Sequence, residues 1–342
     1  NVPRLIEMTR ARNLVLHNIR LHNSPNFHVT LNRVDGFTAW GVKIDTPTHA
    51  RNTDGIDPIS SRNITIAHSF IRTGDDNIAI KAGNNGATEH ISILHNHFYS
   101  GHGMSIGSET NSGVRHVLVD DLSMDGTTSG LRIKSDVSRG GVVEHVRYHD
   151  VCLRHTKTAL DFDTHYGRDA KGNLLPVYRD IALDKVWSQA QIRVVMRGVD
   201  ADHPLQLSLR DVVVAGPVKM TTQFAQLAWW HSDGERTQAI GEESLDLPFV
   251  VNGDASLDAA FAQRLADCEK KWLAFPEWQK RALRPQLSAE QAANYSIDEV
   301  LKNKGSAGQE LADPWSPMED RLVTQAQALG QFAFAYVVDA RA

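Results

Sequence analysis

The chain has 342 residues, 41% of them hydrophobic, with 24 glycines and a formal net charge of −5. That length suits one large domain, or one domain with an appended piece. The charge excludes an overall attraction for nucleic acid, so any polyanion must be held by a local basic patch, and no stretch is apolar for long enough to span a membrane.

Chain organisation begins at Asn1, already inside a repeating pattern and with no signal peptide ahead of it. This reads as a truncated or processed chain whose first coils are missing. Internal repeats dominate the first two-thirds. RNLVLHNIRL from Arg12, DGFTAWGVKI from Asp35, RNITIAHSFI from Arg62 and EHISILHNHF from Glu89 share one pattern. RHVLVDDLSM from Arg115, EHVRYHDVCL from Glu144, RDIALDKVWS from Arg179 and LQLSLRDVVV from Leu205 continue it. Their leading apolar residues recur every 23 to 35 positions, and apolar residues alternate with polar ones, as half-buried strands require. A second series, NIAIKAG, GMSIGSE, GLRIKSD and ALDFDTH, follows about half a coil later. With helical periodicity absent, the pattern predicts an all-β solenoid, a parallel β-helix. Its crossovers are expected to be right-handed. An ordinary β-sandwich accounts less well for the near-constant coil length.

Four unusual segments fall on this coil frame: NTDGID at Asn52, TGDDNIAIKAG at Thr73, SGHGMSIGSE at Ser100 and SGLRIKSD at Ser129. Asp75 and His102 share an offset of 11 from their coil markers, so stacking brings them to neighbouring rungs. Arg132 and Lys134 lie two apart on a strand and point to one side, with Leu131 and Ile133 facing the core. Two cations over two aliphatics suit an anion-binding strand. The adjacent Asp75 and Asp76 are like charges, expected to push one carboxyl pKa upward so that it can act as an acid. Asp54 could then help activate water, the division of labour that inverting glycosidases need. His102, between two glycines, could tune a carboxylate. Asp57 is either a substrate contact or a structural hydrogen-bonding group of its turn.

The order NTD, GDD, GHG, RIK resembles the signature of glycoside hydrolase family 28, the polygalacturonases. FTAWGVKIDTP, RNTDGIDPISSRNITIAHS, TGDDNIAIKAG and GHGMSIGSET look like bacterial endo-polygalacturonase segments, and the resemblance covers about residues 5–215. It implies a right-handed parallel β-helix, inversion at the anomeric carbon and no metal or other cofactor. By residue it implies Asp75 as general acid, with Asp54 and Asp76 on the water and His102 supporting the acid. It also implies Arg132 and Lys134 on galacturonate carboxylates, and Tyr166 of DFDTHYG near the cleft. The expected partner is pectin or polygalacturonate, with no nucleic acid and no membrane, and the expected form is a secreted monomer. An exo-acting or rhamnogalacturonan-cutting member of the family is the nearest rival. A calcium-dependent pectate lyase and a non-catalytic carbohydrate-binding β-helix are further ones.

Other pairs carry less. His95 with His97, and His145 with His149, lack a third metal ligand, and Asp161, Asp163 and the Asp120–Asp121 pair read as solvated edges or turns. Two cysteines, Cys152 and Cys268, are too few for a disulfide framework and say little about redox compartment. After about Gly216 the repeats fade, and the expected boundary separates a β-helix at 1–235 from a partly helical extension at 236–342. DAAFAQRLADCEKKWLAF has helical spacing, Asn294–Leu301 suggests a second short helix, and 302–317 a linker. The final ADPWSPMEDRL and FAYVVDA resemble the lead-in of a pectin methylesterase.

Overall fold

The computed structural model describes residues 2–189, 192–215, 218–231, 234–241, 250–251 and 259–273. Alternating apolar residues fold into strands that stack coil upon coil. One sheet of nine parallel strands runs from Ile6–Thr9 through Val29–Asn32, Ile56–Ile59, Ile78–Ile80, Met104–Gly107, Ser129–Lys134, Thr158–Asp163 and Ile192–Arg197 to Val218–Gln223. A second sheet begins with Arg12–His17, Asp35–Trp40 and Arg62–Ala67. It continues through the long strands Thr88–Tyr99, Val114–Asp125, Gly141–Arg154 and Pro176–Gln189. Every pairing from coil to coil is parallel; Ala225–His231 and Gly234–Ile240 form the antiparallel hairpin at the end. The chain is therefore the parallel β-helix expected.

The core is a set of columns. In the first sheet Val29, Ile56, Ile78, Met104, Leu131, Leu160 and Val194 stand in register, point inward and are buried. Each such side chain contributes roughly 1.5–3 kcal/mol through removal from water. The corners are set by single residues with left-handed backbone. Asn13, Asn63, His90, His116, His145 and Asp180 all have positive φ near the start of the second sheet. Asn, Asp and His tolerate that region better than other side chains. His90, His116 and His145 stack there with centroids 5.0 and 4.9 Å apart, so His145 is a corner residue. His95 is likewise a corner residue, stacked on His68 and paired with Asp121.

Among the described residues, those up to Cys268 form one compact unit. The helical expectation is met by Ala259–Leu273. Cys152 of the second sheet and Cys268 of this helix, 116 positions apart, form a disulfide that two widely separated cysteines gave no reason to expect. The second predicted helix, the linker and the methylesterase-like segment lie outside the described residues.

Candidate active site

The site grows from the first sheet and the turns that lead into it. Parallel register places Ile78 beside both Ile56 and Met104. Counting back two residues puts Asp54, Asp76 and His102 on one row at the strand entrances. A further row crosses the sheet, with Ser105 beside Arg132 and Arg132 beside Asp161; two residues on, Lys134 lies beside Asp163. Residues from five coils thus meet on one surface because equivalent positions stack about 4.8 Å apart.

Local chemistry holds the turns. Asn77 accepts from the Gly103 amide at 2.8 Å and donates to the Ile71 carbonyl at 3.0 Å, fixing the GDD turn to the GHG turn. The His102 amide donates to the Asp75 carbonyl at 2.9 Å. Glycine is required on both sides of His102. Gly101 and Gly103 have φ of +78° and +80°, and a Cβ on Gly103 would lie 2.0 Å from the Ser129 carbonyl oxygen.

Three electrostatic units result. In the first, His102 Nδ1 lies 3.0 Å from Asp75 Oδ1. Burial pushes the Asp75 carboxyl up, but the hydrogen bond and charge of His102 and the amides of Asp76 and Asn52 outweigh it and hold the group well below the usual range. In the second, Asp76 is buried, with Lys134 Nζ at 2.7 Å, Ser105 Oγ at 2.7 Å and an Arg132 nitrogen at 3.6 Å. Burial again pushes upward, and the cations Lys134, Arg132 and Lys81 bring the carboxyl below its ordinary value. In the third, Lys81 Nζ bridges Asp54 at 3.1 Å and Asp57 at 2.6 Å. Burial, then the charge of Asp57, pushes Asp54 up to about 9 against the pull of Lys81. Burial also raises Asp57.

This arrangement corrects the sequence reading in two respects. Neither member of the Asp75–Asp76 pair is raised, because each has its own cationic or hydrogen-bonding partners; the raised carboxyls are Asp54 and Asp57. Asp57 has no accessible surface, so it takes the structural role and not that of a substrate contact. The remaining residues converge as expected. One ligating atom each of Asp75, Asp76 and His102 lies within 4.8 Å of the others. Tyr166 is exposed, and its ring sits 5.5 Å from Arg132 and 5.3 Å from Lys134. Its loop is anchored by the Tyr166 amide on the Ser135 carbonyl and the Gly167 amide on Asp136.

Three participants escaped the sequence reading. Lys81 stands in TGDDNIAIKAG, where its alternation with Ile80 marks it as outward-facing. Ser105 holds Asp76, and Asp161, read as a solvated edge, lies 3.1 Å from Arg132 Nε.

The family model of the glycosyl hydrolases family 28 matches residues 1–234, more than half of the chain. The chain belongs to glycosyl hydrolases family 28. This family 28 chain is 53% identical over 213 residues to the endo-polygalacturonase of Pectobacterium carotovorum subsp. carotovorum, covering 62% of this chain and 52% of that one. It is 40% identical over 254 residues to a polygalacturonase of Ralstonia nicotianae, covering 63% and 48%. The chain thus spans about half the length of the curated relatives it matches. Among solved structures, the polygalacturonase from Erwinia carotovora ssp. carotovora superimposes with a TM-score of 0.60 at 46% identity, over 71% of this chain and 60% of that one. An exopolygalacturonase from Thermotoga maritima gives 0.64 at 22% identity, over 71% and 58%, a likeness of fold alone.

Proposed function

We propose that this family 28 chain hydrolyses α-1,4 bonds between galacturonate residues of polygalacturonate, in the endo mode and with inversion. The observation that carries the reading is the position of Arg132 and Lys134. Two cations and the Tyr166 ring stand on the surface that carries Asp54, Asp75 and Asp76, so a uronate bound by its carboxylate lies against three carboxyls. Arg132 offers paired planar donors and Lys134 a point charge, which together suit a sugar acid. The relatives named endo-polygalacturonase favour the endo mode over the exo-acting and rhamnogalacturonan readings.

In this reading the His102–Asp75 pair supplies the proton that the leaving oxygen takes, passing through Asp75. Asp76 is the base that accepts a proton from the attacking water, and Asp54 orients that water. Substrate has a part in the timing. Its carboxylate draws Arg132 and Lys134 partly away from Asp76, which raises the basicity of Asp76 when the water is in place. The chemistry asks for no cofactor. The Cys152–Cys268 disulfide supports a secreted protein, since such bonds persist in oxidising compartments.

The test is Asp75→Asn. Turnover of polygalacturonate should fall by roughly 10²–10⁴-fold, the usual scale of a lost general acid, while oligogalacturonate binding by calorimetry changes little. Retained turnover would remove Asp75 from the mechanism, and a wild-type chain that binds without any turnover would favour the carbohydrate-binding reading.

A further inference from the structure

The unit formed by Asp54, Asp57 and Lys81 is not explained by substrate binding. Asp57 has no accessible surface and Asp54 is 3% exposed, yet two carboxyls share one ammonium group. Asp57 Oδ1 is buried without a hydrogen-bond partner among the described residues, so Lys81 is the group that compensates this carboxylate. The Phe27 ring covers Lys81 Nζ at 4.3 Å, which limits the ammonium's own access to water and favours the cation. His28 Nδ1 contacts the Asp54 main-chain oxygen at 3.0 Å, anchoring the backbone on the other side.

Charge counting constrains such a unit. One ammonium and two carboxylates would leave a net negative charge out of water, beside the further carboxylates Asp75 and Asp76, which is costly. Keeping one proton between the two carboxyls makes the unit neutral. We propose that Lys81 is a positioning residue of the hydrolytic site, clamping Asp54 to the buried Asp57 so that the Asp54 carboxyl holds one orientation and one shared proton toward the attacking water. The inference rests on the proposed hydrolysis for its kinetic consequence, and on the buried bridge alone for its titration consequence. The burial and charges that push Asp54 up to about 9, against the pull of Lys81, are consistent with that proton.

Removal of Lys81 tests this. In Lys81→Met, kcat should fall roughly 10²-fold, the scale of a small misplacement of a reacting group, with KM on polygalacturonate within about twofold. The alkaline limb of kcat should move to higher pH, because the Lys81 charge that pulls the Asp54 pKa down is gone. Lys81→Gln, which keeps a donor but loses the charge, should show the same alkaline movement, and it serves if the methionine variant does not fold. Carbon-13 titration of labelled aspartates reads the same shift without any turnover. A kcat and pH profile like wild type in a folded variant would overturn the proposal, as would a rise in KM at constant kcat, which would make Lys81 a substrate contact. If the wild-type chain turns over no polygalacturonate, the hydrolysis reading fails by itself. The carbon-13 titration then decides: an upward shift in the variant supports the clamp, and an unchanged titration refutes it.

Discussion

Lys134→Met perturbs a buried ion pair of the site. Asp76 is 2% exposed and accepts from Lys134 Nζ at 2.7 Å. Without Lys134 the carboxylate keeps the Ser105 hydroxyl at 2.7 Å and Arg132 at 3.6 Å, a weaker set. Breaking one partner of a buried ion pair costs about 3–5 kcal/mol, because the remaining charge stays out of water. The pH dependence fixes the cause. Asp76 has its carboxyl pKa lowered in the folded protein, so the pair adds stability above the unfolded carboxylate value, and that stability disappears as pH falls through the folded value. Urea unfolding of wild type and Lys134→Met should therefore differ by about 3–5 kcal/mol near pH 7 and converge only as pH falls below the ordinary carboxylate range. A difference below about 1 kcal/mol at pH 7, the scale of an exposed pair, would show that Lys134 does not compensate a buried charge. So would a difference of constant size across the whole range.

Asp54 behaves in the opposite sense. Its carboxyl is pushed up to about 9, so its stabilising proton is fully present below the unfolded value and is lost as pH rises through the folded one. Asp54→Asn keeps the neutral form, so its urea midpoint should lie near that of wild type at pH 4 and exceed it by a growing margin up to pH 9.5. Arg132→Lys should raise KM on polygalacturonate by roughly tenfold or more, since a point charge cannot replace a planar fork, and initial-rate kinetics read the change. Cys268→Ser should lower stability by about 2–4 kcal/mol in thermal or urea unfolding while leaving kcat per folded molecule unchanged, because the bond closes a long loop away from the carboxyl cluster.

Much of the fold was legible because the solenoid writes itself twice, as a coil period and as inside–outside alternation within each strand. The alternation in SGLRIKSD alone places Leu131 and Ile133 inward and Arg132 and Lys134 outward. Offsets of 11 brought His102 to the right turn, although the strand register aligns it with Asp76 while its imidazole reaches Asp75. Burial is what the sequence could not show. Adjacent Asp75 and Asp76 look like mutually repelling neighbours, and only stacking reveals that His102 serves one and Lys134 the other. Asp57 looks accessible in NTDGID, and only the covering coils show it to be enclosed with Lys81. The disulfide was hidden for a related reason: 116 positions separate cysteines that only the packing of the helix brings together.

In the proposed function, water activated at the carboxyl cluster cleaves a uronate polymer. A time course on polygalacturonate with metal chelated should follow new reducing ends, viscosity and ultraviolet absorbance together. Hydrolysis in the endo mode should give a steep fall in viscosity for few reducing ends, with no absorbing product. Unsaturated, ultraviolet-absorbing ends would mean elimination in place of hydrolysis and would contradict it.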